Sequence, residues 1–522
     1  MRKIIAFTLM AFAGTAAAQG VSPVQDPAGT ETVVIHGDRP ASKFDRRLFG
    51  QFAEHLGTGI YEGIWVGKDS KIPNVDGYRL DVVEALKAIK VPVIRWPGGC
   101  FADEYHWREG IGPQSQRKVK INTNWGGVLE DNRFGTNEFM NFAELVHADA
   151  YVSGNVGSAP PFEMAEWLEY MTSPTGSSLA RERAANGRKQ PWKVAMFGIG
   201  NELWGCGGNM RAEYAADLTR RYGTFLKVPK GVSLMKIASG PNEDDYHWTE
   251  VMMREAGSLI DGIGMHYYTL PYDWKTGQPR PSLGFDEETW ARTLFKAERI
   301  EAIIDGHSKV MDRYDPAKRV ALMVDEWGTW YDPDPGTNPG FLRQQNSLRD
   351  ALVASLNFDI FARHADRLRG ANIAQMVNVL HAMMLTDGAR MVKTPTYYVF
   401  DLYKGYQDGT VLPVEIQSRW YTKDQWSLKA ISASAVRGTD GVLHVGLSNV
   451  DPTKPAKVAV KLDGLTGATV SGRILTADTM DAHNSFDAPH AIEPASFDDA
   501  VLDHGEVRLT LPPKSIVMLD LR

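Results

Sequence analysis

The sequence predicts an α/β protein: a (β/α)8 barrel joined to a β-sandwich built mainly from its C-terminal part plus one N-terminal strand. Three observations predict it. Eight short apolar runs, beginning near residues 49, 91, 148, 194, 233, 263, 320 and 372, alternate with segments of helical spacing. Two of these runs, Val194-Ala-Met-Phe-Gly-Ile-Gly-Asn-Glu-Leu-Trp204 and Val320-Ala-Leu-Met-Val-Asp-Glu-Trp327, end in a carboxylate. Beyond residue 403 the texture changes to short alternating segments separated by Gly, Pro, Asn and Asp, the pattern of a sandwich.

Taken in order, residues 1–18 read as a cleavable leader: Arg2 and Lys3, an apolar stretch over 4–13, then Ala16-Ala17-Ala18 before Gln19. A periplasmic or secreted product is therefore expected. Residues 19–48 contain one strand, 32–36, with no helix of its own, and are assigned to the sandwich. The barrel is placed at 49–402. Its first strand, 49–56, carries Glu54 at its end. Leu80, Val83, Leu86 and Ile89 predict a helix over 78–89, which leads into the strand Val91-Pro-Val-Ile-Arg-Trp-Pro97, broken at Gly98-Gly99. Helices follow at 136–147 and 161–171, with a strand at 148–155 between them. The second half repeats the alternation, with helices at 210–227, 246–256, 287–314 and 344–368. Runs this short, closed by turn residues, suit strands buried on both faces. Glu202 then ends strand four and Glu326 ends strand seven. The sandwich is placed at 403–522, with strands at 442–447, 457–462, 469–475, 507–511 and 515–521.

Composition bounds the function. The 522 residues are 43% hydrophobic and 23% charged, with a formal charge of −7 and a pI near 6.0. That balance argues against nucleic acid or an anionic membrane as partner. The two cysteines, Cys100 and Cys206, both follow strand ends and could bridge if the fold brings them together; the sequence leaves the pairing open. No close pair of Cys or His has zinc spacing, so no metal and no other cofactor is expected.

The C-terminal ends of barrel strands carry chemistry, because the loops there form one open face around a rigid core. A lone glutamate at such an end is more often a surface carboxylate than a catalyst. Two of them, on strands four and seven, suit acetal hydrolysis: one must arrive protonated to assist the leaving oxygen, the other ionised to attack the anomeric carbon. Glu202, beside Asn201 and Trp204, is read as the acid and Glu326 as the nucleophile. Asn201 is placed to donate to a sugar 2-hydroxyl.

Several longer stretches resemble glycoside hydrolase family 51, the α-L-arabinofuranosidases: Phe49-Gly-Gln-Phe-Ala-Glu-His-Leu56, Arg95-Trp-Pro-Gly-Gly-Cys-Phe-Ala-Asp-Glu-Tyr105, Gly200-Asn-Glu-Leu-Trp-Gly205, Asp325-Glu-Trp327, Asn372-Ile-Ala-Gln-Met-Val-Asn-Val379 and the region of Asn484-Ser-Phe486. The resemblance spans nearly the whole chain after the leader. It implies that Glu202 is the general acid/base and Glu326 the nucleophile, with Glu54, Asn201, His266, Tyr268 and Gln375 on the sugar. Trp125 and Trp330 match aromatics flanking the pocket. Cys100 stands where some relatives carry Asn. Arg95 would orient the carboxylates from below. The resemblance further implies a retaining exo-enzyme that releases terminal α-L-arabinofuranose from arabinan, arabinoxylan or their oligosaccharides, and a homo-oligomer, commonly a hexamer.

Two alternatives stay open on sequence. One is another retaining glycosidase of the same clan, a β-xylosidase or endo-β-glucanase. The other is a non-catalytic carbohydrate-binding protein. A closed pocket rather than a groove, and turnover rather than binding, separate them. The loop at 331–340, dense in Pro and Gly and directly after the nucleophile strand, either shapes the pocket mouth or is a mobile surface connection.

Overall fold

Eight parallel strands close into a barrel in chain order: Gly50–Phe52, Val93–Trp96, Asp149–Gly154, Val194–Ile199, Met235–Asn242, Gly262–Thr269, Ala321–Thr329 and Leu368–Ile373. The structure is a computed structural model that describes residues 29–174, 176–465 and 469–522. The leader expected at 1–18 lies outside the described residues. The strands read as continuous apolar runs because helices cover their outer faces; all nine residues of Ala321–Thr329 are buried. Inside, Val93, Tyr151, Met196, Ile237, Ala321 and Met323 form a cluster that fills the barrel floor. The chemistry can therefore open only at the other end.

Helices Tyr246–Ala256 and Glu287–Tyr314 match their predicted bounds. Two helices were not predicted, Ser178–Ala185 and Pro395–Tyr403. The second is rich in aromatic and β-branched residues, a composition that favours strand. Pro395 supplies a helix start at its first turn, and burial of nearly the whole element overrides local propensity. The first barrel strand is shorter than its apolar pattern predicts. Only Gly50–Phe52 is regular strand, although the Ala53 and His55 amides still donate to the carbonyls of Arg95 and Pro97. Glu54 therefore projects from a loop over the barrel mouth.

The sandwich has a five-stranded and a six-stranded sheet. As predicted, the N-terminal strand Glu31–His36 joins it, parallel to Ala456–Asp463 and antiparallel to Val414–Gln417. Val33, Ile35, Val445, Leu447, Val458 and Leu519 pack between the sheets. The strands over 410–437, among them Val414–Gln417 and Ile431–Arg437, were not singled out from the sequence, although they alternate. The sandwich is bolted to the barrel through buried polar contacts. Asp359, on helix Leu348–Arg363, accepts hydrogen bonds from Ser432, Ser434 and Tyr403, and the Trp290 indole donates to the Val450 carbonyl at 3.0 Å.

Candidate active site

Strand seven delivers two carboxylates into the barrel where regular alternation would deliver one. His266 on strand six pairs with Glu326, but the preceding pair is Met265 with Val324, so Asp325 is an extra residue that bulges the strand. A bulge of this kind re-aims side chains. Asp325 accepts from the Tyr151 hydroxyl at 2.7 Å, and Glu326 reaches Arg95 across the barrel. Strand four ends at Ile199, and the chain turns at once: Glu202 sits at φ +41°, a conformation costly for a residue with a side chain. The turn is held by Asp103, which accepts the amides of Asn201, Val156 and Gly157 at 2.7–2.8 Å.

Glu326 is fully engaged. Arg95 donates to its Oε1 at 2.8 Å and the Tyr268 hydroxyl to its Oε2 at 2.7 Å. Burial alone would push this carboxyl up, but His266, Arg95 and the bonds from Arg95 and Tyr268 hold it below the usual carboxylate range. Its ionised form is what a nucleophile requires. Burial and the Glu326 charge push Tyr268 well above an ordinary phenol, so it remains a donor.

Glu202 is more open, with a side chain 20% exposed against 7% for Glu326. His266 Nδ1 lies 2.8 Å from Glu202 and 3.6 Å from Glu326. Burial works against protonation of His266, yet the two carboxylates lift its pKa above the ordinary imidazole value. Arg95 also donates to Asn201 Oδ1 at 2.5 Å, so one guanidinium spans the strand-four and strand-seven groups.

Glu54 accepts from the Phe101 amide at 3.0 Å, the Trp125 indole at 2.9 Å and Gln375 Nε2 at 3.2 Å. Burial, then the charge on Glu326, raises its pKa to about 7. Gly98 and Gly99 make room for this cluster: a Cβ on Gly98 would fall 2.8 Å from Glu54 Cγ, and one on Gly99 3.2 Å from Glu326 Oε1. Gln375 lines the pocket, and its Oε1 is buried without a partner.

These groups line a narrow pocket with a cavity volume of about 50 Å³, closed at the floor and walled by Trp125, Trp330, Leu342 and Leu380. Of the residues singled out by sequence, Glu54, Cys100, Trp125, Asn201, Glu202, Tyr268, Glu326, Trp330 and Gln375 all meet there. His266 does not line the wall; it stands behind the carboxylates and touches both. Cys100 is no thiol ligand, because it is bonded to Cys206, whose sulfur lies 3.5 Å from Glu202 Oε2. The loop at 331–340 is docked rather than free: Asn338 donates to the Gly126 carbonyl at 3.3 Å, and Leu342 just beyond it closes one wall. Sequence reasoning missed Asp103, which lies inside a quoted motif but carries no mark distinguishing it from its neighbours, and Leu342, which nothing local signals.

Among the described residues, Glu202, His266 and Glu326 present ligand atoms within 4.8 Å of one another, as do His36, Asp38 and Asp463. In the first group these atoms are already engaged with one another, with Arg95 and with Tyr268, an arrangement wired for protons.

Comparison with known proteins agrees with this geometry. The sequence profile of the alpha-L-arabinofuranosidase 1 domain matches residues 85–280, and that of the alpha-L-arabinofuranosidase C-terminal domain matches residues 325–515. An intracellular exo-alpha-L-arabinofuranosidase of Bacteroides ovatus is 48% identical over 492 residues, covering 94% of this chain and 95% of its own. The crystal structure of the GH51 arabinofuranosidase from Xanthomonas axonopodis pv. citri superposes with a TM-score of 0.93 at 58% identity, over 94% of this chain and 100% of that one. An alpha-L-arabinofuranosidase from Thermotoga maritima, solved as an arabinose complex, gives 0.83 at 28% identity, over 94% and 99%. The expected periplasmic or secreted location is overturned: the Bacteroides ovatus relative, matched along almost its whole length, is named intracellular. The leader reading rested on the composition of eighteen residues alone.

Proposed function

The chain belongs to glycoside hydrolase family 51 and is an exo-acting α-L-arabinofuranosidase; from that premise we propose that it releases terminal α-L-arabinofuranose by double displacement, with Glu326 as nucleophile and Glu202 as acid/base. The observation that carries this reading is the spacing of the pair. Oxygens of Glu202 and Glu326 approach within 4.8 Å. Direct attack by a carboxylate goes with a separation of about 5–5.5 Å, whereas an interposed water needs about 6.5 Å or more.

The steps follow from the contacts. Glu326, kept ionised by Arg95, attacks the anomeric carbon while Glu202 gives its proton to the departing oxygen. Tyr268 and Arg95 hold the carboxylate in line. Glu202 then takes a proton from water, which displaces the sugar from Glu326. Asn201, Glu54 and Gln375 are proposed to bind the sugar hydroxyls, between the Trp125 and Trp330 walls. His266, shared by the two carboxylates, is proposed as the proton-positioning group rather than a sugar ligand. A narrow pocket walled by Trp125, Trp330, Leu342 and Leu380 over a filled floor supports exo-action over a groove-binding endo-glucanase.

Arabinose-containing glycans are the substrates. Arabinan, arabinoxylan and their oligosaccharides are the finer proposal, as is a homo-oligomer, which rests on family resemblance. Turnover of an aryl α-L-arabinofuranoside beside the aryl β-D-xyloside and carboxymethylcellulose tests the reading. Exclusive or dominant arabinofuranoside cleavage is expected; preference for either of the others overturns the substrate assignment.

A further inference from the structure

One side of the pocket is apolar and held in place by its backbone. Leu342 and Leu380 wall it, and both belong to an apolar cluster with Leu56 and Val379. Each of the two leucines sits at φ +49°, a left-handed conformation uncommon for a residue with a bulky side chain. Such conformations persist only where the surroundings over-determine them, and they gather at ligand clamps.

Here the surroundings do so. The Leu380 amide donates to the Leu342 carbonyl at 2.9 Å, and the Leu380 carbonyl accepts from the buried Asn346 side chain at 3.1 Å. Leu342 follows Phe341, which is seated against two glycines: a Cβ on Gly57 would fall 2.8 Å from Phe341 Cβ, and one on Gly126 2.6 Å from Phe341 Cε1. Gly126 adjoins the wall residue Trp125. The leucines are thus fixed from both flanks, and the cavity they bound has a volume of about 50 Å³.

The place of this wall relative to the sugar follows from the order of the barrel strands. The inference rests on the functional reading above, in which C1 lies at Glu326 and Glu202 and the 2-hydroxyl at Asn201. The next ring carbons then run from strand four past Cys100 and Glu54, which follow strands two and one, and C4 comes to the side of strand eight. Gln375, Leu380 and, bonded to Leu380, Leu342 stand there. In arabinofuranose C4 carries only a hydroxymethyl arm. In β-D-galactofuranose, whose ring has the same stereochemistry, that arm is longer by one carbon and one hydroxyl.

We propose that the Leu342–Leu380 wall is a specificity determinant, admitting the one-carbon arm of arabinofuranose and rejecting the two-carbon arm of a β-D-galactofuranoside. The longer arm would overlap apolar side chains whose backbone cannot withdraw, and its additional hydroxyl would be buried against them without a partner.

The test reads kcat/KM on an aryl α-L-arabinofuranoside and on the β-D-galactofuranoside of the same phenol, for wild type, Leu342→Gly and Leu342→Met. Glycine suits the left-handed backbone and opens the wall, whereas methionine keeps its volume. Wild type is expected to prefer the arabinofuranoside by roughly a hundredfold, the scale on which a packed apolar pocket rejects an extra carbon. Leu342→Gly is expected to narrow that ratio about tenfold, and Leu342→Met to leave it within about threefold. A partly unfolded variant loses both activities equally, so the ratio reads the pocket alone. An unchanged ratio in Leu342→Gly, an equal change in Leu342→Met, or a wild type that cleaves both substrates alike would overturn the wall. A wild type inactive on the arabinofuranoside would instead sink the functional reading, and the proposal with it.

Discussion

Arg95 donates from Nη1 to Oε1 of Glu326 at 2.8 Å, with the two side chains 2% and 7% exposed, so the nucleophile's charge is set by a pair almost closed to water. The same guanidinium holds Asn201, which makes it the link between the strand-four and strand-seven halves of the site.

Arg95→Met should therefore act through the charge of Glu326. The wild-type carboxyl sits below its usual range, so its ionised form persists as pH falls and is lost only on passing through that depressed value. Without Arg95 the value rises, and the acid limb of the kcat/KM profile moves to higher pH. The maximum falls by roughly a hundredfold or more, as for loss of a buried charge-stabilising donor. An unmoved acid limb would show that Arg95 does not tune the nucleophile.

Glu54 gives the opposite sign. Its carboxyl is raised to about 7 in the folded protein, against about 4.3 in an unfolded chain. The unfolded state sheds this proton first as pH rises, so Glu54 costs nothing at low pH and destabilises the fold increasingly between those two values. Glu54→Gln removes that cost. Its Tm relative to wild type should be higher at pH 8 than at pH 5, while kcat/KM drops for want of a sugar ligand. A Tm difference that does not change with pH would contradict the assignment.

The Cys100–Cys206 bridge ties the loop after strand two to the turn that carries Glu202, across a sequence separation of 106 residues. Loop closure of this length is worth about 4–5 kcal/mol on the chain-entropy account. Cys206→Ser, or wild type in reductant, is expected to lose several degrees of Tm and part of kcat. Thermal unfolding and turnover measured with and without dithiothreitol check this, and identical values would show that the bridge neither stabilises the chain nor shapes the acid/base turn.

Much of this site is legible in the sequence because barrel strands announce themselves as apolar runs and their ends must carry the chemistry. Asn201, Glu202 and Glu326 stand at such ends. The disulfide was not decided there, since sequence holds no distances, and the place of His266 behind the carboxylates could not be read from its motif. The bulge at Asp325 is equally silent: only strand pairing shows that two successive carboxylates face inward. Asp103 belongs to the same class, because its role is to accept three amides from segments about fifty and one hundred residues away. The helix Pro395–Tyr403 was missed because its residues favour strand and only tertiary burial makes it a helix.

The most direct test of the two roles is the configuration of the azide products formed by Glu202→Ala and Glu326→Ala from an activated aryl α-L-arabinofuranoside, read by NMR. If Glu326 is the nucleophile and Glu202 the acid/base, azide rescues Glu202→Ala by opening the glycosyl-enzyme, and the arabinofuranosyl azide keeps the α configuration. Azide instead takes the place of the missing carboxylate in Glu326→Ala, and the product is the β-azide. The reverse pattern would exchange the two roles, and an inverted product from both variants would contradict double displacement altogether.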